Sequence, residues 1–506
     1  MSQASRAAAV ALVAGAAIYA PAVAHAGTYE VVSCGAAGGI NRAWTPFIGD
    51  AASLRAEDSC SSIVGGAEDG LLAVDRIPGP PNTPAGGEAG WRLAAPPGTR
   101  ITRLTAHYYL GQRSAGEWLP FIRTAEGAVL QSCVPTGGQT TCERGSTPYS
   151  PIGPADTFTI DTAGIDIGVR CAIPSGQCGT GASLHHVWAA LYGARVQVSD
   201  QAVPSAPTAS GTLWRDGYHR GIETVAITAS DTTGIRATRL LVDDQVRVSE
   251  LRACDYTLLI PCSNGSGGAL TLDTRTLADG VHNLDAVAED PAGNMTKVSR
   301  SITVDNEAPA APVGLVLDGR PRRSVNGFAV RWQLPPGQVA PITGARWSLC
   351  PASGTTGCVT GAAAAAGADR LDGLAMPSAG DWDLRVWLED AAGNSSAERA
   401  AGPVRMTLLS ARDPKVRIRS VRRKGRLVRV SGVAAAQSGR VAVSVERRVG
   451  NRVLHVRGVV RIRAGRWSRQ VRLTSRMARL KKLTAVARFA EQSGFKATTA
   501  RRAVPR

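Results

Sequence analysis

The amino-acid sequence predicts an all-β protein that is built from tandem β-sandwich domains. Short runs that alternate apolar and polar residues recur along the chain, and Gly, Pro, Asn and Asp separate them. The leucine-rich periodicity of amphipathic helices is absent. A chain of 506 residues is also too long for one hydrophobic core, which predicts three or four domains.

The first 26 residues predict a secretory signal peptide. Arg6 supplies positive charge ahead of an apolar run at 7–18, and Ala24 and Ala26 are small residues at the two positions that a signal peptidase reads. The apolar run is shorter than the about 20 residues that a membrane span needs. We therefore expect cleavage after Ala26 and a secreted, extracellular chain that has no transmembrane segment and associates with the cell surface.

The ten cysteines are predicted to form five local disulfides. Zinc binding would need CxxC clusters or histidine partners, and neither pattern is present. Sequence alone leaves the connectivity of ten cysteines open. Short loops rich in Gly, Ser, Pro or Thr nevertheless separate the partners in four of the pairs, which favours local bonds in an oxidising compartment. The expected pairs are Cys34–Cys60, Cys133–Cys142, Cys171–Cys178, Cys254–Cys262 and Cys350–Cys358.

Two segments rich in Pro and Ala, at 201–210 and 306–313, predict extended linkers between domains. A weaker boundary lies near 410–414. Behind the signal peptide at 1–26, these cuts predict an N-terminal domain at 27–203, two middle domains at 204–306 and 307–411, and a C-terminal domain at 412–506.

The two middle domains are internal repeats. The pentapeptide at 290–294 (DPAGN) recurs at 390–394 (DAAGN), and an alternating strand precedes each copy. Asp accepts hydrogen bonds from backbone amides across a turn, while Gly and Asn tolerate positive φ, so each copy predicts a hairpin between two strands. Gly293 and Gly393 are the residues that this turn requires most.

These repeats resemble bacterial immunoglobulin-like domains of large secreted and cell-surface proteins. The stretch at 288–294, followed by ITVDNEAPAAP at 302–312, is similar to the last hairpin and the interdomain junction of such a domain. Residues 225–231 and 240–244 are similar to its early strands. The resemblance covers about 205–405 and, more loosely, 412–506. It implies three immunoglobulin-like sandwiches, and it leaves function open because this fold serves as spacer, adhesin and enzyme accessory.

The N-terminal domain lacks the repeat and contains no diagnostic motif. Its alternating runs predict a jelly-roll-like sandwich of the lectin or carbohydrate-binding type, with strands at 28–33, 71–75, 91–93, 101–109, 157–162 and 187–198.

No catalytic or cofactor motif is present: the sequence has no GxSxG, HExxH, Walker loop or strand-linked GxGxxG. His185 and His186 are adjacent, and neighbouring side chains of a strand point to opposite faces, so they cannot both bind one ion. We therefore expect a non-enzymatic protein without a cofactor. One alternative stays open, an extracellular glycoside-active hydrolase whose catalytic part is the N-terminal domain.

Oxygen-bearing residues near the ends of strands in the first repeat are candidate calcium ligands. Asp231, Asp290 and Asn294, together with Glu289, lie where carboxylate and amide oxygens could converge. The hairpin alone already explains the Asp and the Asn of the turn, so the sequence favours a site without metal and keeps calcium as the alternative.

Aromatic residues of the N-terminal domain are candidates for stacking against a sugar. Trp118 lies between Gly116-Glu117 and Leu119-Pro120, which is typical of a loop, and Tyr108 and Tyr109 must face opposite sides of one strand. The sequence therefore predicts a glycan site at these three residues. The alternative is that all of them are core or scattered surface aromatics.

The C-terminal domain is strongly basic. Residues 412–506 contain 28 Lys plus Arg against three acidic residues, a net charge of +25 in a chain of net charge +18. Such a domain attracts polyanions, and its few aromatics argue against base stacking and therefore against nucleic acid as a partner. Strand alternation predicts a charged sheet face that binds anionic cell-wall polymer through Arg417, Arg419, Arg429, Arg461, Arg463 and Arg472.

Together these observations predict a secreted, envelope-associated binding or adhesion protein. Its N-terminal domain is expected to bind carbohydrate, and its basic domain to retain it on anionic polymers. Besides the hydrolase, the sequence leaves open a purely structural envelope protein without a discrete ligand.

Overall fold

The computed structural model describes residues 27–62, 69–77, 82–145, 155–364, 369–410, 412–490 and 494–506. The predicted signal peptide at 1–26 lies outside the described residues. Within the described part of the chain, no helix is long and apolar enough to cross a membrane. Strands and loops make up nearly all of the described structure, which confirms the all-β prediction.

The chain divides into two compact units. The first comprises Met1–Asp216, Ile222–Asp273 and Val281–Ile302, and the second comprises Gly217–Gly221, Thr274–Gly280 and Thr303–Arg506. Every sheet takes its strands from a single stretch of the chain, 27–200, 208–304, 313–408 or 417–503. The division into four folded domains stays a prediction.

Residues 27–200 form two sheets and a short ribbon. The strands are β1 (Gly27–Cys34), β2 (Thr45–Ile48), β3 (Leu54–Ser59), β4 (Gly70–Asp75), β5 (Thr83–Pro84), β6 (Glu88–Ala94), β7 (Thr99–Gln112), β8 (Trp118–Thr124), β9 (Val129–Ser132), β10 (Cys142–Gly145), β11 (Asp156–Thr162), β12 (Gly164–Cys171), β13 (Gln177–Cys178) and β14 (Val187–Asp200), with 3-10 helices at Gly35–Ala37 and Cys60–Ser62. The first sheet has the order β10-β7-β14-β4-β3, with β1 on β14 and β11 on β7. The second has the order β2-β6-β12-β8-β9, and β5 pairs with β13.

The core of this segment lies between the two sheets. Val31, Ile101 and Val196 from the first sheet and Trp91 and Ile167 from the second are buried in one cluster. Alternation places these residues on the inner faces, because successive side chains of a strand point to opposite sides.

Residues 208–304 form two further sheets. The strands are β15 (Thr208–Ser210), β16 (Tyr218–His219), β17 (Ile222–Ala229), β18 (Ala237–Val242), β19 (Gln245–Leu251), β20 (Gly265–Ser266), β21 (Leu270–Asp273), β22 (Gly280–Glu289) and β23 (Met295–Val304), with a 3-10 helix at Thr274–Thr276. One sheet has the order β15-β17-β20 with β21 also on β17, and the other has the order β16-β23-β22-β18-β19.

Residues 313–408 repeat this two-sheet plan. The strands are β24 (Val313–Asp318), β25 (Arg322–Arg323), β26 (Phe328–Gln333), β27 (Ile342–Pro351), β28 (Val359–Ala364), β29 (Arg370–Leu374), β30 (Gly380–Asp390) and β31 (Ala401–Leu408), with a 3-10 helix at Ala397–Arg399. The sheet orders are β24-β26-β29 and β25-β31-β30-β27-β28.

The predicted hairpins are present in both repeats. Asp290 accepts a hydrogen bond from the backbone N–H of Asn294 at 2.9 Å, and Asp390 accepts the equivalent bond at 2.8 Å. Gly293 and Gly393 have φ values of 90° and 84°, in the left-handed region where glycine carries no Cβ strain. The sequence-based interpretation of the DxAGN turn is confirmed.

Residues 417–503 form the basic module, in which seven strands follow the order β32-β33-β36-β35-β34-β37-β38. The strands are β32 (Arg417–Lys424), β33 (Leu427–Val433), β34 (Ser438–Val449), β35 (Arg452–Arg463), β36 (Arg466–Arg472), β37 (Thr484–Phe489) and β38 (Thr498–Ala503), with one helix, α1 (Ser475–Ala478). The ladder between β35 and β36 consists of the single pair Arg463–Arg466. The strands therefore separate into a three-stranded part (β32, β33, β36) and a four-stranded part (β35, β34, β37, β38) that enclose one core.

All five predicted disulfides are present, and they join all ten cysteines. Each one closes a local loop. This confirms the connectivity that loop composition and neighbour spacing favoured.

Candidate functional site

Arginines on the outer face of the three-stranded part form the first basic surface. Arg429 is exposed in the middle of β33, and its neighbours on both sides are buried. The register pairs Arg417 with Val433 and Arg472 with Leu427, and both partners share a face with Arg429. Three of the predicted arginines therefore lie on one exposed sheet face.

The other three predicted arginines lie elsewhere, which corrects the expectation of a single face. Arg419 is the extra residue of a β-bulge between Ile418 and Ser420, so the alternation of β32 breaks there. Arg461 and Arg463 are exposed on β35, in the four-stranded part. The basic surface thus occupies the outer faces of the three-stranded and the four-stranded part, and Arg419 lies at the bulge without a pairing partner in the sheet.

Few acidic groups oppose this charge. The described acidic residues of the C-terminal stretch 412–506 are Asp413 and Glu446, and Glu446 forms an ion pair with Arg488 at 2.6 Å. Burial alone would raise the pKa of Glu446, but hydrogen bonds from Arg488 and Ser444 outweigh burial and lower it. None of the six predicted arginines forms an ion pair with another described residue. Their field is therefore open to an external anion.

A groove of about 780 Å³ opens where β35 and β36 part after their single ladder pair. Five arginines and one tryptophan line it, namely Arg419, Arg461, Arg463, Arg466, Arg469 and Trp467. Trp467 is only 4% exposed, and its Nε1 has no hydrogen-bond partner among the described residues. The groove therefore offers guanidinium groups at its rim and no open aromatic face for stacking.

The three aromatic residues predicted to bind a glycan lie in the core, which corrects that prediction. Trp118 is fully buried, and its indole donates a hydrogen bond to a backbone carbonyl at 3.0 Å. Tyr108 is 1% exposed and donates to Asp156; burial, followed by this bond, raises its pKa to about 12. Tyr109 is 3% exposed and packs on Trp188 with ring centroids 5.9 Å apart. None of the three presents a face to a sugar.

A cavity of about 550 Å³ lies instead on the face of β7 that points away from the main core. Its residues include His107 of β7 and Tyr192 of β14, where a β-bulge between Leu191 and Gly193 interrupts the ladder. The turn at 35–39, which follows β1, forms a further part of its wall. The Cys34–Cys60 disulfide connects the start of this turn to the segment at 60–61, which also lines the cavity.

The cavity residues carry unpaired hydrogen-bonding groups and little net charge. The Tyr192 hydroxyl and His107 Nδ1 are buried and have no hydrogen-bond partner among the described residues. Burial raises the pKa of Tyr192, so its hydroxyl stays protonated and can donate. The one cation in the lining, Arg195, is neutralised by Glu30 at 2.6 Å. The arrangement suits an uncharged polar ligand.

Three carboxylates converge at the end of β14. Asp200 ends β14, Asp231 follows β17 and Asp290 follows β22, and one oxygen of each lies within 4.8 Å of the others. Asp200 and Asp290 are fully buried, and Asp231 is half-buried. None of them forms an ion pair with a described side chain. Two of the predicted calcium candidates are thus brought together with a third acid that the sequence analysis missed.

The other two predicted calcium candidates have different partners: Glu289 forms ion pairs with Arg236 and Arg239, and Asn294 acts as a hydrogen-bond donor. The amide Nδ2 of Asn294 donates to Asp290 at 2.7 Å and to the backbone oxygen of Asp200 at 3.1 Å. It therefore fixes Asp290 beside Asp200, and its nitrogen cannot bind a cation.

Charge repulsion accumulates in this carboxylate cluster. Burial raises the pKa of Asp290 to about 6, and the neighbouring charges of Asp200 and Asp231 add to the shift against the hydrogen bonds from Asn294. Burial likewise raises the pKa of Asp200, with Asp231 adding to it. Such a cluster can share a proton or hold a divalent cation through its oxygens.

The second repeat has an incomplete copy of the cluster. Asp305 and Asp390 correspond to Asp200 and Asp290, and Asn394 donates to the Asp305 backbone oxygen at 2.8 Å. The backbone N–H of Ala340 donates to Asp305 at 2.9 Å, where the first repeat has the Thr233 hydroxyl. A third carboxylate is missing among the described residues at this position. The sequence signal for Asp200 was therefore present, since DQAVP at 200–204 parallels DNEAP at 305–309.

Comparisons with known proteins give loose structural likenesses. No protein-family model matches the chain. No curated protein matches it either. A tetra-tandem repeat from the extending region of a large adhesion protein is 14% identical, with a TM-score of 0.20, over 85% of this chain and 97% of that one.

Two further solved structures show the same level of likeness. A Ca²⁺-stabilised adhesin with which an Antarctic bacterium binds ice is 14% identical, with a TM-score of 0.27, over 83% of this chain and 94% of that one. Domains A168–A170 of titin are 10% identical, with a TM-score of 0.27, over 72% of this chain and 99% of that one. At these TM-scores the likenesses carry no argument about what this chain binds.

Proposed function

We propose that this chain is an exported, non-enzymatic binding or adhesion protein that its basic C-terminal module retains on anionic polymers of the cell envelope. The observation that carries the proposal is the exposed arginine surface on the three-stranded and the four-stranded part of that module, with no ion pair at any of the six predicted arginines among the described residues. Five local disulfides support an oxidising location.

The physical basis of retention is counterion exchange. An anionic polymer carries a condensed layer of cations, and a basic surface that replaces them gains the entropy of their release. Attraction of this kind depends on charge density more than on the detailed structure of the polymer, and salt weakens it. Arg417, Arg429 and Arg472 suit this role because their apolar strand neighbours hold the sheet while the guanidinium groups stay in solvent.

The test is co-sedimentation of the full chain with an insoluble anionic wall polymer, compared with a neutral glucan. Wild-type protein is expected to bind the anionic polymer tightly at low salt and to bind it measurably but more weakly at physiological salt. The triple variant Arg417→Glu, Arg429→Glu, Arg472→Glu should bind much more weakly while it keeps its fold, because no core residue changes.

The matched control carries the same charge change outside the basic module. Arg103, Arg247 and Arg320 are exposed, and their replacement by Glu should leave binding nearly unchanged. Equal losses in the two triple variants would mean that only net charge matters. Binding to neutral glucan as strong as to the anionic polymer would contradict the proposal.

A second proposal concerns the cavity at Tyr192 and His107, which we assign to a neutral sugar unit. The Tyr192 hydroxyl and His107 Nδ1 are buried behind the cavity wall, so a small shift of these side chains would let a sugar hydroxyl, which both donates and accepts, satisfy them. The glycine-rich turn at 35–39 adds backbone groups, and the volume is within the range of small-ligand sites. This carbohydrate site replaces the one predicted at the buried aromatics.

Two neighbouring serines give a matched test of the cavity. Ser61 lines it and Ser62 does not, although both are exposed. On an array of neutral glycans, Ser61→Trp should abolish a signal that wild-type protein and Ser62→Trp share, and Tyr192→Phe should weaken it. A wild-type array without signal, or equal binding by both Trp variants, would refute the sugar site.

A further inference from the structure

The groove between β35 and β36 differs from the two flat basic faces. It gathers five arginines from β32, β35 and β36 around about 780 Å³, and none of the five forms an ion pair with a described residue. Because the five guanidinium groups line one groove and have no acidic partner among the described residues, an anion in the groove can contact several of them.

One glycine provides the space for a groove arginine. A Cβ on Gly458 of β35 would lie 2.6 Å from Nε of Arg469 and 3.3 Å from its Cζ, so this guanidinium lies directly over the glycine. Gly458 occupies an ordinary strand position without positive φ, so its backbone conformation does not require glycine. Close approach of Arg469 across the gap between the strands does require it.

The lining restricts the ligand class. Arg461 and Arg463 are two residues apart on β35, which places them on the same side of the strand about 7 Å apart. Successive charges of a flexible chain can reach both. Guanidinium forks bind phosphate oxygens in pairs, while the hydroxyls of Ser431 and Ser468 can bond uncharged hydroxyls between the phosphates. Trp467 is too buried to stack on a base, which disfavours nucleic acid.

We infer that this groove is a discrete binding site for one strand of a polyol phosphate, a flexible chain of hydroxylated units joined by phosphodiesters. The inference rests on the proposed retention on anionic polymers and deepens it, since it assigns the polymer class and the residues that select it. The flat faces then add non-selective attraction, and the groove supplies selectivity.

The experiment is calorimetric titration of the full chain with a short poly(glycerol phosphate) oligomer. Arg461→Gln with Arg469→Gln removes two groove charges. The matched control is Arg422→Gln with Arg429→Gln, because the exposed Arg422 of β32 pairs with Arg429 of β33 on the flat face. The groove pair is expected to lower affinity about tenfold or more, and the face pair by less than about threefold. Gly458→Ala changes no charge, and it should still lower affinity because its methyl group displaces Arg469.

The possible outcomes separate the two proposals. Equal losses in the groove and face pairs, with Gly458→Ala binding as wild type, would overturn the groove while retention stands. Failure of wild-type protein to bind any anionic polymer at low salt would overturn retention itself. Groove-dependent binding of oligothymidylate or hyaluronate as tight as that of the oligomer would overturn the assignment to polyol phosphate.

Discussion

Replacing Asp231 with Asn tests the carboxylate cluster at the end of β14. Asn keeps an oxygen where Asp231 accepts bonds from the Thr233 N–H and hydroxyl at 2.8 and 2.7 Å, so the turn is preserved and one charge is removed. The remaining acids, Asp200 and Asp290, then lose a repulsive neighbour. We expect the variant to be more stable than wild type near neutral pH.

The magnitude follows from the pKa of Asp290. A shift from an ordinary value near 3.9 to about 6 corresponds to about 3 kcal/mol for ionising this group in the folded protein. Burial is the larger cause, so removal of the Asp231 charge recovers about 1 kcal/mol. A gain of this size raises the melting temperature of the surrounding structure by about 2–4 °C.

The sign of the pH dependence follows from the raised pKa. Below the unfolded pKa near 3.9, Asp290 is protonated in both the folded and the unfolded state, so its raised pKa costs no stability. As pH rises from there through about 6, the folded protein loses stability, because Asp290 ionises less readily in the folded than in the unfolded state. Scanning calorimetry without divalent cations should therefore show the gain of Asp231→Asn near pH 7 and little gain near pH 4.5. Asp244→Asn, at an exposed turn position, is the control. An unchanged or lower melting temperature near pH 7 would refute the repulsion.

Calcium gives the same cluster a second test. If the three carboxylates hold the ion, millimolar calcium should raise the melting temperature of wild-type protein and have little effect on Asp231→Asn. If calcium leaves the melting temperature of wild-type protein unchanged, the cluster does not bind this ion, and the carboxylates share a proton instead.

The remaining predictions concern stability. Non-reducing peptide mapping should return Cys254–Cys262 as one linked peptide, and a link across domains would contradict the local scheme. Gly293→Ala should cost about 1–2 kcal/mol through strain at φ 90° and lower only its own calorimetric transition, as Gly393→Ala should in the second repeat. Trp118→Ala should cost about 3–5 kcal/mol in urea unfolding, whereas a surface residue would cost under about 0.5 kcal/mol. Burial opposes ionisation, but the arginine partners outweigh it and lower the pKa of Asp166. Asp166 should therefore stabilise the fold until pH falls below about 4, and Asp166→Asn should reduce the loss of stability that wild-type protein shows in this acidic range.

The strands, hairpins and disulfides could be predicted from sequence because they depend on patterns of residues that are close together in the chain. The DxAGN turn combines a side-chain acceptor with a glycine at positive φ, and both requirements involve residues within five positions of each other. Four of the five cysteine pairs are seven to nine residues apart, and the partners of the fifth, Cys34 and Cys60, are 26 residues apart. The DQAVP and DNEAP stretches carried a further signal, because an acid repeated before a Pro-Ala linker marks a structural position such as that of Asp200.

Features that depend on two distant segments were beyond reach of the sequence. Tyr109 faces away from the main core, yet a second cluster with Leu72, Val74 and Trp188 buries it, so strand alternation alone does not show whether it is exposed. The bulge that displaces Arg419 depends on how β32 pairs with β33, and composition gives no sign of it. The cavity at Tyr192 likewise arises from a bulge and a disulfide-fixed turn that lie far apart in the chain.

The salt dependence of binding tests the central claim most directly. Affinity of the full chain for a soluble anionic wall polymer would be measured at several salt concentrations, for wild type and for Arg417→Gln, Arg429→Gln, Arg472→Gln. Retention through counterion release predicts a steep linear fall of log affinity with log salt, and a slope that the triple variant reduces by about 2–3. A slope that is near zero in wild type, or identical in the two proteins, would contradict the account.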